Sequence, residues 1–385
     1  MLNELMEKKE KKVEYIELIY DLIFVYIIGR NNSLLHHFEG GFVEAKAFFA
    51  YVLCTLAVIQ IWNFSTFYIN MFGKNRAREY IFLFINMYLL YFIGQGTTIH
   101  WQRFQSQYHI AWGLILINIA IQYIFELKNQ RENSVNIKTI KKILFALLFE
   151  SALVFIAAIP NVVLGIVFSA LAIISGIVLT SLSRKKDNEG SQIDFSHLTE
   201  RAMLYVVFTF GEMIIAISSY FTGNGKFNIS VIYFSLMAFL IVAALFLSYG
   251  FVYDNLIDRE NAKNSMLYMV IHIFIIFALN NITASLEFMR EEKIDLIPKM
   301  IFLVASLVLY YLFLFSLKGY AKCSCKPSRK FILSNLALAF LFIILMIIFR
   351  ENMHINIFIS VLFVFSVYII LYASYKKIKN KYTEE

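Results

Sequence analysis

The sequence contains little proline, little cysteine and little charge. Its 385 residues include 3 Pro and 3 Cys, and charged residues make up only 16%. Three cysteines, of which Cys54 lies inside an apolar stretch, do not form a disulfide framework. Cys323 and Cys325 form a C-x-C pair in a basic loop, but a tetrahedral zinc site needs about four ligands. The sequence therefore predicts no metal site.

Motifs of nucleotide-binding and hydrolytic sites are missing as well. The chain has no G-x-x-x-x-G-K-[ST] phosphate-binding loop, no G-x-S-x-G elbow and no H-E-x-x-H zinc motif. It also lacks the arginine ladder of a voltage sensor and the filter sequence of a potassium channel. We therefore expect no cofactor and no catalytic residues, and we expect that the protein is not an enzyme.

Apolar residues, in contrast, are abundant. They make up 59% of the chain, with 39 Phe and 23 Tyr, whereas a soluble domain has about 45–50%. They form blocks of about twenty residues, the length that crosses a hydrocarbon core of ~30 Å as a helix. Strict polar–apolar alternation is absent, which excludes a transmembrane barrel. The pattern predicts an all-α fold, a polytopic bundle of transmembrane helices.

We predict about twelve spans in two halves. The predicted spans are residues 15–34, 45–70, 79–99, 107–126, 140–159, 161–182, 198–221, 229–253, 265–287, 296–317, 330–349 and 354–375. The first half covers residues 1–183 and the second covers 198–385, with a cytoplasmic linker loop at 184–197. Glu17 and Glu200 occupy matching positions, 183 residues apart. Both halves have the same orientation, so we expect two parallel six-helix repeats.

The basic residues indicate the topology. If the N-terminus is cytoplasmic, 26 of the 35 Lys and Arg lie on the cytoplasmic side and eight on the opposite side. This asymmetry follows the positive-inside rule, and an even number of spans places both termini in the cytoplasm. The net charge of +8 thus reflects loops, not a nucleic-acid-binding surface. The expected location is the plasma membrane, and the expected partners are the lipid bilayer and an unidentified small molecule or ion.

Charged residues inside the first predicted helix are candidate functional groups. Glu14, Glu17 and Asp21 have a spacing that places all three carboxylates on one helical face. A charge in a span costs about 2.5–3.5 kcal/mol on insertion scales and normally faces the protein interior. Glu14 is expected at the headgroup level. For the deeper Glu17 and Asp21, ion pairs that fix packing and a functional role are both open.

The first helix of the second half carries a similar set. His197, Glu200 and Arg201 lie on one face, and Arg201 is expected to neutralise Glu17, Asp21 or Glu200. Glu212 lies about 16 Å further along the helix, near the expected bilayer middle. A carboxylate that gains and loses a proton there would suit a proton-coupled carrier. Glu212 is therefore the strongest single candidate, and the alternative is a protonated Glu that only joins two helices.

Amide and aromatic residues of other spans are weaker candidates for functional residues. Tyr68 and Asn70 close the second helix and are assigned a supporting role, whereas Gln60, Trp62 and Asn63 of the same helix are assigned to helix packing. One further carboxyl group, Glu150, lies about ten residues inside the fifth span.

Three ordered motifs resemble those of the low temperature requirement A (LtrA) family. Residues 17–25 resemble its E-L-x-x-D-L-x-F-V opening, residues 197–201 with 211–212 resemble its H-x-x-E-R…G-E element, and residues 67–70 with Arg76 and Arg78 resemble its aromatic-Asn-basic element. The resemblance implies a multi-spanning bacterial membrane protein linked by name to growth in the cold. It carries over the motif positions Glu17, Asp21, His197, Glu200, Arg201, Gly211 and Glu212.

Three functions remain open at this stage. Two six-helix halves, short loops and buried carboxylates favour a secondary carrier coupled to protons or cations. A non-transporting membrane protein that supports growth in the cold, as a sensor or assembly partner, is the alternative. A membrane-embedded enzyme acting on lipid is the third, with the same carboxylates and His197 as its acid–base groups. The sequence names neither a substrate nor an oligomeric state.

Overall fold

Helices dominate the structure, a computed structural model that describes residues 11–96, 101–129, 134–184, 193–218, 228–259, 264–289, 291–322 and 328–383. Along this part of the chain the helices are α1 (Tyr15–Asn31), α2 (Ala45–Phe72), α3 (Ala77–Gly96), α4 (Trp101–Asn129), α5 (Ser134–Ala157), α6 (Val162–Arg184), α7 (Phe195–Ser218), α8 (Ile229–Phe251), α9 (Ser265–Phe288), α10 (Leu296–Ser316), α11 (Arg329–Ile348) and α12 (Met353–Thr383). Each predicted span overlaps one of these helices, so the all-α prediction is confirmed.

Length and composition make this a multi-pass membrane protein. Among the described residues, nine helices are long and apolar enough to cross a membrane, namely α2, α4 and α6 to α12. Helix α11 shows the pattern most clearly, because large apolar side chains such as Leu333 and Phe340 are about two-thirds exposed. Only lipid or another apolar surface can solvate such a face. The direction in which the chain crosses the membrane remains a prediction.

A small hairpin follows α1, where the sequence predicted the continuation of the first span to residue 34. Helix α1 ends at Asn31, a 3-10 helix runs from Asn32 to His36, and strands β1 (Phe38–Glu39) and β2 (Phe42–Val43) pair antiparallel. The turn residues Gly40 and Gly41 have φ angles of 58° and 80°. Two consecutive positive φ angles are typical of a tight hairpin turn, which glycine adopts without strain.

Helix α8 ends in an irregular turn. The π-helical residues Val252–Leu256 follow it directly, and Ile257 then forms a single β-bridge with Ala321. The N–H of Asp258 donates to the carbonyl of Tyr320 over 2.8 Å, and the N–H of Lys322 donates to the carbonyl of Leu256 over 2.9 Å. These bonds fasten the π-helical turn to the chain that leaves α10.

The chain forms two compact units. Unit 1 comprises Met1–Asn31, Leu53–Tyr205 and Arg259–Val270. Inside it, α3 packs against α4, α4 against α5 and α5 against α6, and α1 packs against α3. Short connections between consecutive helices favour this antiparallel arrangement of neighbours.

Unit 2 comprises Asn32–Val52, Val206–Asp258 and Ile271–Glu385. Inside it, α12 packs against α8, α10 and α11. The division into halves 1–183 and 198–385 stays a prediction. Of the predicted linker, residues 185–192 lie outside the described part of the chain, and so do Cys323 and Cys325; α7 begins at Phe195, so the last three linker residues are helical.

Candidate functional site

The most charged buried position in unit 1 lies where α1 meets α7. Glu17 and Asp21 are one turn apart on α1, and both are at most 1% exposed. His197 and Arg201 are one turn apart on α7, and both are equally buried. Residues four apart lie on the same helical face, so each helix offers two polar groups to the other. We call these four residues the buried cluster.

Arg201 holds the buried cluster together. Its Nη1 lies 3.2 Å from Oε2 of Glu17, and its Nη2 forms a short contact with Oδ1 of Asp21. The expected pairing of Arg201 with carboxylates of the first helix is therefore present. Breaking a buried ion pair costs several kcal/mol because one charge is left without a partner. Loss of Arg201 would therefore leave both carboxylates without a counter-ion.

His197 connects Glu17 to Asn70. The amide of Asn70 is fixed in orientation, because its Oδ1 accepts from the N–H of Asp194 (3.1 Å) and its Nδ2 donates to the carbonyl of Asp194 (2.8 Å). The same Nδ2 lies 3.0 Å from Nδ1 of His197, which must then accept. The ring proton consequently lies on Nε2, 3.3 Å from Oε2 of Glu17. Asn70 thus orients the histidine towards the carboxylate.

Trp62 of α2 completes the contacts of Asp21. Its Nε1 donates to Oδ1 of Asp21 over 2.7 Å. Its ring packs against Tyr205 with centroids 4.4 Å apart, and the Arg201 guanidinium lies 5.9 Å from the ring centroid. The assignment of Trp62 to helix packing missed this role. Nothing in the sequence marks Trp62, since an indole in an apolar helix resembles any other bulky core residue.

Two further residues at the start of these helices, Asp194 and Lys11, are not marked by any sequence pattern. Asp194 caps α7, since its Oδ1 accepts from the N–H of His197 over 3.1 Å. Lys11 precedes α1, and its Nζ donates to the carbonyls of Ile69 and Gly73, the latter over 3.0 Å. Burial lowers the pKa of Lys11, and the Glu17 carboxylate opposes that shift.

A small cavity of about 10 Å³ adjoins Glu17. Its walls include Tyr68 of α2, Glu79 of α3 and Gln122 of α4, and it reaches Gly73 and Asn75 in the loop between α2 and α3. That volume holds about one water molecule. Glu17 therefore has the charged groups of α7 on one side and, on another, a water-sized space whose mostly apolar walls include a few polar groups.

Some carboxylate oxygens of the buried cluster lack a hydrogen-bond donor in the described part of the chain. Within the described residues, Oε1 of Glu17 and Oδ2 of Asp21 have no hydrogen-bond partner, although both are buried. Buried acceptors without donors are uncommon in folded proteins and cost free energy. These oxygens are available to a proton or a water molecule.

Hydroxyl and amide groups pin the helices around the cluster. The hydroxyl of Tyr20 lies 2.9 Å from Oγ of Ser65 and accepts from Nδ2 of Asn86 over 3.2 Å. Nδ2 of Asn118 in turn donates to Oδ1 of Asn86 over 2.7 Å. These hydrogen bonds link α1 to α4 and hold α1 in place at Tyr20, the residue next to Asp21.

Three predicted site residues lie apart from the buried cluster. Glu200 is half-buried, and among the described residues no ion pair joins it to Arg201. Glu212 is half-buried eleven residues beyond Arg201, and it acts electrostatically on Glu287 of α9, in the same unit. Gly211 has open space around it, because an added Cβ would meet no atom within 4 Å.

Another buried carboxylate, Glu150 of α5, lies elsewhere in unit 1. Its Oε2 accepts from Nε2 of Gln60 over 3.3 Å, and Gln60 also donates to the carbonyl of Ile173 over 3.2 Å. Among the described residues, no group of three or more His, Cys, Asp or Glu side chains is arranged to hold a metal ion. In the described part of the chain, Glu150 forms no ion pair of the kind that Arg201 provides for Glu17.

Comparison with known proteins places these residues in a family. The family model of the bacterial low temperature requirement A protein (LtrA) matches residues 12–370, which include the whole buried cluster. No curated protein and no solved structure matches the chain. Because the match covers nearly the whole sequence, the chain belongs to the LtrA family.

Proposed function

We propose that this LtrA family protein is a proton-coupled secondary carrier of the plasma membrane, in which Glu17 binds the proton and Arg201 is its counter-ion. The observation that carries the proposal is the buried cluster itself. An arginine and two carboxylates buried in predicted membrane spans are costly to insert, and such groups usually serve ion pathways or proton relays. Their side chains are at most 1% exposed, so bulk water does not relieve the cost.

Glu17 is better placed for proton exchange than the other carboxylates. It is the member of the buried cluster that lines the water-sized cavity, so a proton can reach it through one ordered water molecule. Asp21 contacts Trp62 and Arg201 instead. Glu212, the strongest candidate from sequence, has an acidic neighbour and is proposed only as a second protonation site.

Protonation of Glu17 would change the contact between α1 and α7. With Glu17 ionised, Arg201 is shared by two carboxylates. Once Glu17 is neutral, the guanidinium keeps only Asp21 as an ionic partner, and His197 loses the charge that its Nε2–H faces. Two alternative sets of contacts between two helices are the kind of bistable element that a carrier requires.

The surroundings of Glu17 favour a proton over larger species. A cavity of about 10 Å³ admits no organic solute, so a transported solute would bind elsewhere. A metal cation would meet the positive charges of Arg201 and Lys11, which already act on Glu17. A proton needs neither space nor additional ligands.

The proposal is tested by proton flux in proteoliposomes that contain a pH-sensitive dye. Gradients of Na⁺, K⁺ and pools of small organic solutes are imposed in turn on the wild type, Glu17→Gln and Glu150→Gln. We expect solute-driven proton movement in the wild type and in Glu150→Gln, and none in Glu17→Gln. Flux that survives in Glu17→Gln would reject Glu17 as the proton site, and its absence with every solute would count against a carrier.

A non-transporting role in the cold is the second candidate. The same ion pairs could act as a fixed tie between α1 and α7, and the bonds from Asn70, Asp194 and Lys11 give that tie many supports. His197 is 1% exposed, its Nδ1 lies 3.0 Å from Nδ2 of Asn70, and its Nε2 lies 3.3 Å from the Glu17 carboxylate. That burial supports the proposal that the protein is not a lipid enzyme.

A further inference from the structure

Unit 2 contains a larger cavity, of about 360 Å³. The residues that line it are distant in sequence from the buried cluster. Its walls come from the π-helical turn after α8 and from α10, α11 and α12. The volume falls within the ~300–1,000 Å³ of sites for small organic ligands. We call it the α10–α12 pocket.

Polar and apolar residues separate along the α10–α12 pocket. Phe363 and Ala339 line one part, whereas Lys318, Ser328 and Tyr375 line the other. Phe363 and Tyr375 are twelve residues apart on α12, a rise of about 18 Å. That depth is close to one leaflet, or half of a hydrocarbon core of ~30 Å. An apolar channel of one leaflet's depth with a polar mouth matches a lipid acyl chain below its headgroup.

The apolar part is lined by side chains whose polar atoms are already used. The hydroxyl of Tyr311 donates to the carbonyl of Val364 over 3.3 Å, and the ring of Phe363 stacks on Phe342 with centroids 4.2 Å apart. One buried polar atom breaks the pattern. Oδ1 of Asn335 lies in the wall without a hydrogen-bond donor among the described residues, and a ligand hydroxyl would satisfy it.

Basic residues are frequent in the sequence segments that form the mouth. Lys318 lines it, and the exposed basic residues that flank it in sequence are Lys322, Arg329, Lys330, Lys376 and Lys377. Two acidic residues offset this charge: Asp254 lies on the π-helical turn and Asp258 follows it. With Arg259, which follows Asp258, these segments hold seven cations and two anions, an excess that favours a negatively charged headgroup. Basic pockets between transmembrane helices bind anionic lipids in this way.

We propose that the α10–α12 pocket binds one anionic phospholipid, with an acyl chain against Ala339 and Phe363 and the phosphate at Lys318. The bonds that fasten the π-helical turn to residues 320–322 hold one wall of the mouth in place. Because α10, α11 and α12 all line the pocket, the bound lipid would link three helices of unit 2. This inference does not depend on the proposed proton site.

Native mass spectrometry of the full-length protein in detergent tests the proposal. The probes are phosphatidylglycerol and phosphatidylcholine with identical acyl chains. We expect the wild type to retain one phosphatidylglycerol per chain and to bind phosphatidylcholine more weakly. Each Lys near an anionic lipid contributes about 1 kcal/mol, which corresponds to about fivefold in affinity. Lys318→Gln should therefore weaken phosphatidylglycerol binding about fivefold, and it should weaken phosphatidylcholine binding less, because the choline cation offsets the phosphate charge.

A second variant tests the apolar part. Ala339→Phe should fill the channel and abolish binding of both lipids. The matched control is Ala337→Phe, which places the same ring on the exposed side of α11, outside the pocket lining. Lys46→Gln, at an exposed position on α2, is the control for the charge change. Both controls should bind like the wild type.

Three results would overturn the proposal. Equal affinity of the wild type for the two lipids would show that the pocket does not recognise an anionic headgroup. Unchanged binding in Ala339→Phe would place the lipid outside the pocket. A change in oligomeric mass in Ala339→Phe but not in Ala337→Phe would mean that a second copy of the chain covers this face. Should Ala339→Phe fail to fold, Lys318→Gln at the exposed mouth still decides the headgroup question.

Discussion

Arg201 is the side chain on which the buried cluster depends most. It is fully buried between two carboxylates. We predict that Arg201→Gln lowers the free energy of unfolding by about 3–5 kcal/mol, because Glu17 and Asp21 lose their counter-ion in a site shielded from bulk water. Thermal unfolding in nanodiscs of fixed lipid composition measures the change.

The control for Arg201 is Arg350→Gln. Arg350 lies 4.0 Å from Glu351, and both side chains are more than half exposed. Exposed pairs contribute little, so this variant should unfold within about 0.5 kcal/mol of the wild type. Equal losses for the two variants would mean that the buried ion pairs do not hold α1 to α7.

Trp62 gives a second prediction for a single side chain. Trp62→Phe keeps an aromatic ring against Tyr205 but removes the N–H that donates to Asp21. We expect an additional loss of about 1.5–3 kcal/mol from the missing hydrogen bond to a charged group, although Oδ1 of Asp21 keeps its contact with Arg201. Trp112→Phe is the matched control, since Trp112 is equally buried and its Nε1 has no partner among the described residues. The difference between the two unfolding free energies reports the hydrogen bond, and a difference near zero would refute it.

The sequence identified the charged members of the buried cluster but not their neighbours. Glu17, Asp21, His197 and Arg201 stand out because a charge in an apolar block is costly. Trp62 is 41 residues from Asp21 in sequence, and Lys11 precedes the first span. Contacts over such separations depend on how helices pack, which one sequence does not encode in a readable pattern.

Close packing between helices makes one glycine critical. At Gly176 of α6, an added Cβ would clash with Oε2 of Glu150 and Nε2 of Gln60. We predict that Gly176→Ala costs about 1–3 kcal/mol of unfolding free energy, because the hydrogen-bonded pair must move. Gly250→Ala on α8 is the control, since its added Cβ meets nothing within 4 Å. That change should be neutral or stabilise the helix by up to about 1 kcal/mol.

Thermal unfolding of both glycine variants distinguishes the two environments. A loss in Gly250→Ala as large as that in Gly176→Ala would show that helix propensity, not the approach of Glu150 and Gln60, governs these positions.

The positions of the helices could be predicted from the sequence better than their ends. Apolar blocks of about twenty residues located all twelve helices, because the pattern is long and uniform. The hairpin at Gly40–Gly41 was missed, although two adjacent glycines between apolar residues are a hairpin signal. The π-helical turn at Val252–Leu256 has no comparable signal, since tertiary bonds to residues 320–322 hold it.

For the molecule as a whole, membrane topology is the prediction that most needs a measurement. Twelve spans with 26 of 35 basic residues on one side predict cytoplasmic termini. Green fluorescent protein fused after Glu385 should therefore fluoresce, and alkaline phosphatase inserted at Gly41 should be active on the opposite side. Inactive phosphatase at Gly41 together with a dark C-terminal fusion would invert the topology.

The division into parallel repeats is a separate prediction about the whole molecule. The match of Glu17 with Glu200 suggested it, yet the two residues have different surroundings. Glu17 is buried against Arg201, whereas Glu200 is half-buried outside the cluster. The family match covers residues 12–370 as one stretch and does not distinguish the halves.

The most direct measurement is the protonation of Glu17 itself. Difference infrared spectroscopy of the reconstituted protein between two pH values detects the carbonyl band of a protonated carboxyl group. We predict that the wild type gains such a band on acidification. Part of the band should be absent in Glu17→Gln, and the same part should be present in Glu150→Gln. Identical spectra of the wild type and Glu17→Gln would contradict proton binding at the cluster and leave its ion pairs as a fixed tie between α1 and α7.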